Sequence, residues 1–264
     1  MTRVTDLERE YSPSSRVGGS SQPFVDDYVA RSADVAAALG DRVQVLAGGT
    51  VFVSAGPGTP VLVFVHGGYW QALSAADSLY PAAGALANGW SFAAVEYTLA
   101  PAASVAVMVD ECRTALAALA VLGPFSQVVL AGHSAGAHLA AMNALVSPSP
   151  LPLDRVVLVS GVYDLRPLVH TTVNEPLGFD EGSAARVSPA LLPVAGSLPV
   201  LLTVGDNETE AFIAQQRVYA ARLRAAGCPA RDMVATGRHH FDIVDDLVDP
   251  TGAIGAFTLG GTLP

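Results

Sequence analysis

The chain has 264 residues, 51% of them hydrophobic and 14% charged, with a formal net charge of −10 and no lysine. That composition excludes a disordered chain and supplies material for a sizeable core. An acidic balance with only scattered arginines argues against nucleic acid or an anionic membrane surface as partner.

Met1 to Glu10 mixes acids and arginines and holds no apolar stretch of the length a secretory signal needs. No run approaches a membrane span, so a cytoplasmic protein is expected. Two cysteines, Cys112 and Cys228, are too few and too far apart for a disulfide framework or a metal cluster.

In chain order, residues 1–40 read as an N-terminal extension: a polar arm from Tyr11 to Pro23, then a helix over Phe24 to Leu39 stopped by Gly40. Arg42 to Leu46 and Thr50 to Val53 alternate as early strands, antiparallel across a Gly48-Gly49 turn. From Val61 onward, apolar runs alternate with helical segments. The runs are Val61 to Val65, Phe92 to Val95, Val128 to Ala131, Val156 to Val159, Val200 to Val204 and, more weakly, Arg231 to Ala235. This pattern predicts an α/β chain with a mostly parallel sheet covered on both faces, a three-layer αβα arrangement in one domain over 1–264.

Val105, Met108, Val109, Cys112, Leu116 and Leu119 fall at helical spacing and predict an amphipathic crossover helix, with Cys112 as a buried inert thiol. A second helix carries Phe212, Tyr219 and Leu223 on one side and stops at Gly227. Residues 162–199, interrupted by Pro167, Pro176, Pro189 and Pro193, form the irregular stretch expected to act as a lid or pocket wall. Thr251 to Pro264 reads as a packed terminal element.

The chemistry concentrates where Val128 to Ala131 meets Gly132-His133-Ser134-Ala135-Gly136 and passes at once into an Ala- and Leu-rich helical segment. Strand, sharp turn and helix is the context in which a G-x-S-x-G serine acts as a nucleophile, which makes Ser134 the candidate. His66-Gly67-Gly68-Tyr69-Trp70 follows the Val61 to Val65 strand. Its glycines allow backbone N–H groups to face a developing oxyanion, with the Ala135 amide as a second donor.

A serine nucleophile needs a base oriented by an acid. His239 and His240 offer the base, and Asp206, Glu208 and Asp164 compete as the acid. No histidine and carboxylate spacing fits a metal site: His133 and His138 lie on different sides of a helix, His66 reads as structural, and His170 stays open.

Several stretches together look like the α/β-hydrolase kynurenine formamidases, or arylformamidases, across roughly Val61 to Asp245. They are His-Gly-Gly-Tyr-Trp-Gln at 66–71, Tyr-Thr-Leu-Ala-Pro at 97–101, Gly-His-Ser-Ala-Gly-Ala-His-Leu-Ala-Ala at 132–141, Ser-Gly-Val-Tyr-Asp-Leu-Arg-Pro-Leu at 160–168 and Val-Asn-Glu-Pro-Leu at 173–177. That family is similar to the hormone-sensitive-lipase group. The resemblance implies an α/β-hydrolase fold and a triad ordered serine, acid, histidine.

By the same resemblance His240, directly before Phe241, is the base, and Glu208, four residues before Phe212, is the acid, although the family usually carries aspartate there. Gly67, Gly68 and Ala135 would form the oxyanion hole, and Tyr69, Trp70 and Tyr163 an aromatic wall. The implied reaction is hydrolysis of an aryl formamide, N-formyl-L-kynurenine, with a carboxylesterase acting on short acyl or aryl esters as the alternative. Neither cofactor nor metal is implied; the partner is a small-molecule substrate, and a homodimer is allowed but not indicated.

Overall fold

The computed structural model describes residues 4–260; the first three residues of Met1–Glu10 and the last four of the tail lie outside the described residues. Eight strands form one sheet: β1 (Val43–Val45), β2 (Val51–Val53), β3 (Val61–Val65), β4 (Ser91–Val95), β5 (Val128–His133), β6 (Arg155–Val159), β7 (Val200–Asn207) and β8 (Ala230–His239). Their order across the sheet is β1-β2-β4-β3-β5-β6-β7-β8. The β1–β2 and β2–β4 pairs are antiparallel and every other pair is parallel. This is the α/β-hydrolase sheet, and each apolar run supplies one of its strands.

Those runs are continuous because both faces of the sheet are covered. In β3, Val61, Val63 and Val65 face one buried cluster while Leu62 and Phe64 face another, as the two-residue side-chain period requires. The first cluster takes helices α4 (Val105–Leu122), α5 (Ala135–Ala141), α6 (Glu181–Arg186) and α7 (Glu210–Ala225); the second takes α2 (Gln22–Leu39), α3 (Ala82–Ala87) and the C-terminal Ile254 and Phe257.

Helix α4 buries Val105, Met108, Cys112, Leu116 and Leu119 along one stripe, and its start is capped by Ser104, whose Oγ accepts from the Val107 amide at 3.4 Å. Burial pushes the Cys112 thiol up, which keeps it protonated and inert. Cys228 is also buried, its thiol directed at the Gly196 carbonyl.

Two segments with loop-like composition pack onto the body of the fold. Residues 162–199 bury Leu165, Leu168 and Ala184 into the core, while Thr172 and Val173 line a cavity beside Tyr69. The polar arm docks firmly. It follows a further helix, α1 (Val4–Glu10), and runs through a 3₁₀ turn over Pro13–Arg16. Thr209 Oγ1 donates to the Glu10 carbonyl, the Ala211 amide to the Glu10 carboxylate at 3.2 Å, and the Gln215 amide to the Tyr11 hydroxyl at 3.0 Å. These bonds tie the arm to the start of α7, beside the carboxyl ends of the strands.

Candidate active site

Strand register assembles the site. Pairing of Val65 with Gly132 between β3 and β5 brings Gly67, two residues on, against the turn that follows β5. A Cβ on Gly67 would stand 3.2 Å from Ser134 Cβ. At the far side of the sheet, Asn207 pairs with His239 across a bulge between β7 and β8, so the next residues, Glu208 and His240, leave the sheet side by side.

Ser134 sits at φ 55°, ψ −118°, in the left-handed region that a serine enters only when its surroundings enforce it. Its own amide donates to the Val159 carbonyl at 2.8 Å, which anchors the turn to β6. Close packing fixes the rest: a Cβ on Gly136 would meet the Val65 carbonyl oxygen at 2.0 Å, and one on Gly132 the Gly136 oxygen at 2.2 Å. Ala135 heads α5, so its N–H is one of the donors that a helix start leaves without an intrahelical acceptor. Gly68, at φ 96°, lines the same cavity as Ser134.

The imidazole Nδ1 of His240 lies 2.8 Å from Oε2 of Glu208, and both side chains are buried. Oε1 of Glu208 accepts from Ser160 Oγ at 2.5 Å and from the Gly205 amide at 2.8 Å. Burial opposes ionisation of this carboxyl, but His240, the Ser160 hydroxyl and the Gly205 amide outweigh it and hold Glu208 below its ordinary range. Neither competing acid reaches His240: Asp206 accepts from the Gly237 amide at 3.0 Å, and Asp164 pairs with Arg166 at 2.7 Å.

Ser134 and His240 both line a cavity of about 300 Å³, with Glu208 behind His240. Its size is at the lower end for small-molecule sites, roughly 300 to 1,000 Å³. Together they present a hydroxyl on a strained turn, an imidazole backed by a carboxylate, and backbone amides at the same rim. That set can perform acyl transfer to serine.

The comparisons with known proteins agree with this geometry. A family described as BD-FAE matches residues 53–157. The kynurenine formamidase of Danio rerio is 35% identical over 74% of this chain and 70% of its own length, and that of Salmo salar is 31% identical over 92% and 91%. The chain belongs to the kynurenine formamidase family. A solved structure from Silicibacter sp. TM1040, a thioesterase candidate, superposes with a TM-score of 0.83 at 31% identity, covering 95% of this chain and 98% of that one. An esterase from Pyrobaculum calidifontis, at TM-score 0.72 and 17% identity over 99% of this chain and 98% of that one, shares the fold.

Within this kynurenine formamidase family member, two of the three expected wall aromatics stand elsewhere. Trp70, at φ 60°, is turned into the core and meets His138 edge-on with ring centroids 5.2 Å apart. Tyr163 is buried against Tyr219 at 4.4 Å. Tyr69 does line the cavity, its hydroxyl held by the Tyr11 carbonyl. The rest of the wall comes from the N-terminal arm and α2, through Tyr11, Pro13, Val25 and Tyr28, together with Leu73, Val173 and Phe241.

Two residues beyond the expected site set also make contacts here. Ser160, at φ 51°, holds the Glu208 carboxylate. His133, the variable residue of the turn, is pushed down to about 3 by burial and by the neighbouring His240 ring. It is therefore neutral, and its Nε2–H donates to the His240 carbonyl at 2.7 Å. His138 is likewise pushed down to about 4 by burial and donates to the Val187 carbonyl at 2.6 Å. His66 stacks on Tyr97 at 4.2 Å, and His170 lies near Glu181 at 3.3 Å. Among the described residues no group of three or more His, Cys, Asp or Glu is arranged to hold a metal ion.

Proposed function

We propose that the chain is a single-domain serine hydrolase that cleaves N-formyl-L-kynurenine to L-kynurenine and formate. The observation that carries this reading is the single cavity lined by Ser134 and His240, with Glu208 bonded to the far side of the imidazole, in a member of the kynurenine formamidase family.

In the first half-reaction Ser134 Oγ attacks the formyl carbon while His240 Nε2 takes its proton. The amides of Gly67, Gly68 and Ala135 receive the oxyanion. When the tetrahedral intermediate collapses, the C–N bond breaks and His240 returns the proton to the departing aryl amine. An aryl amine leaves more readily than an alkyl amine because its lone pair is delocalised into the ring. Water then attacks the formyl ester of Ser134, losing a proton to His240, and formate departs as the serine is reprotonated. Glu208 keeps Nδ1 protonated throughout and stabilises the transient imidazolium.

A second reading, a carboxylesterase for short acyl or aryl esters, is favoured by the esterase neighbours in fold and uses the same groups. Measuring kcat/KM for N-formyl-L-kynurenine beside an aryl acetate separates the two. A constant favouring the formamide is expected; one favouring the ester by orders of magnitude rejects the formamidase reading. Ser134→Ala removes both activities under either reading, and unchanged turnover would identify another nucleophile.

A cytoplasmic setting belongs to the same proposal. Among the described residues no helix is long and apolar enough to cross a membrane.

A further inference from the structure

Among the described residues, the cavity that holds Ser134 is lined by one carboxylate that the hydrolytic chemistry leaves unused. Glu8, on α1, lines it together with Tyr11, Ser12 and Ser14. Its carboxylate is fixed across the gap between the arm and the turn over Thr172–Asn174: the Thr172 amide donates to Oε2 at 2.8 Å, and the Thr172 hydroxyl donates to Oε1. A carboxylate offers about four acceptor positions. Among the described residues two are filled, both by neutral donors, which leaves about half of the hydrogen-bonding capacity of Glu8 for a ligand.

Among the described residues that line this cavity there is no arginine; its histidines are His133, which is neutral, and His240, which the mechanism uses as the base. Arg9 borders only the adjoining outer cavity, which shares Glu8, Ser12 and Ser14, and its guanidinium lies 3.6 Å from Glu10. The remaining polar groups at this end are serine hydroxyls, with Ser12 Oγ and Ser14 Oγ 3.2 Å apart. A ligand ammonium placed here would meet a fixed, partly desolvated negative charge, whereas a ligand carboxylate would meet neutral hydroxyls and the repulsion of Glu8.

We propose that Glu8 is the subsite for a primary ammonium on the substrate, and that the cavity reads this cation while giving a substrate carboxylate no charged partner. The substrate class is then aryl formamides with a cationic alkylammonium tail. This rests on the formamidase reading above and adds a specificity that the reading does not contain. It makes the ammonium of N-formyl-L-kynurenine the anchoring group and its carboxylate dispensable.

The test compares kcat/KM for three formanilides: N-formyl-L-kynurenine, its decarboxylated analogue, which keeps only the ammonium, and its deaminated analogue, which keeps only the carboxylate. In the wild-type enzyme the decarboxylated compound is expected to match or exceed the parent. The deaminated one is expected to fall roughly 10- to 100-fold below it, the usual scale for losing a partly desolvated charge pair.

Glu8→Gln keeps an oxygen for the Thr172 amide and removes the charge. The ratio of kcat/KM between ammonium-bearing and ammonium-free substrates is expected to fall at least fivefold in that variant and to be restored by Glu8→Asp. A ratio that stays closer to wild type than fivefold overturns the proposal, because a purely structural role for Glu8 would change both substrates alike.

Should the wild-type enzyme cleave none of the formanilides, the formamidase reading fails on its own, and the subsite is tested on aryl acetates with and without an aminoalkyl tail. A preference for the tail that Glu8→Gln abolishes upholds the subsite; equal constants reject it.

Discussion

The carboxylate of Glu208 is shared between two neighbours: Oε2 lies 2.8 Å from His240 Nδ1, and Oε1 lies 2.5 Å from Ser160 Oγ. A glutamate here, one methylene longer than an aspartate, spans from the Gly205 amide to the imidazole because the β7–β8 bulge sets both chains at the same level. Glu208→Gln is expected to lower kcat by roughly 10³- to 10⁴-fold with little change in KM, as loss of the orienting acid does in other serine triads. Steady-state kinetics at fixed pH check this; a loss below tenfold would mean that another acid serves His240.

Ser160 acts through that same carboxylate. Removing its hydroxyl in Ser160→Ala leaves Oε1 with the Gly205 amide alone, and a drop in kcat of roughly tenfold is expected from one lost charge-assisted hydrogen bond. Because both substitutions act on one bond network, their effects are not additive: in the Glu208→Gln background, Ser160→Ala should cost less than threefold. Additive losses would place Ser160 outside the network.

His133 and His138 make stability depend on pH. Both are neutral in the folded protein, pushed down to about 3 and about 4, whereas in the unfolded chain each takes a proton below about 6.5. The unfolded state therefore binds more protons across this window. Stability is complete above about pH 6.5 and is lost as the pH falls toward the folded values. At pH 5 each histidine accounts for about 2 kcal/mol of the loss. Urea unfolding at pH 8 and pH 5 should show this fall, and His138→Gln should remove about half of it. Glu208, held below its ordinary range, acts in the same direction at lower pH, near and below about 4.5.

What could be read in advance was whatever is encoded by local pattern. The strands were legible because each is a run of apolar residues buried on both sides, and Ser134 because its turn demands glycine at 132 and 136. His240 and Glu208 were reached through spacing relative to Phe241 and Phe212, not through any physical signal in their own stretches.

The cavity wall was not legible. Tyr11 to Ser21 has the serine, proline and glycine content of a loop, and its docking depends on single hydrogen bonds to Tyr69, Asn207 and Gln215, which leave no periodicity. Trp70 sits next to Tyr69 in sequence and both have a left-handed backbone, yet only Tyr69 lines the cavity while the Trp70 indole is buried in the core. Side-chain direction at such a residue is set by a torsion that sequence spacing does not reveal.

Two glycines near Ser134 separate fold from chemistry. A methyl group on Gly136 would be driven to 2.0 Å from the Val65 carbonyl oxygen and 2.4 Å from that of His66, both rigid backbone at the end of β3. Neither can retreat without breaking the strand, so Gly136→Ala is expected to cost more than about 4 kcal/mol, enough to prevent accumulation of folded protein. A methyl on Gly67 meets the His133 oxygen at 3.1 Å and Ser134 Cβ at 3.2 Å, contacts that a shift of a few tenths of an ångström relieves. Gly67→Ala should therefore fold, with a melting temperature within a few degrees of wild type, while the displaced Ser134 and adjoining amide lower kcat by roughly 10- to 100-fold. Thermal melts and kcat measured on the two variants distinguish these outcomes. Full activity in Gly67→Ala would mean that this peptide takes no part in holding the oxyanion.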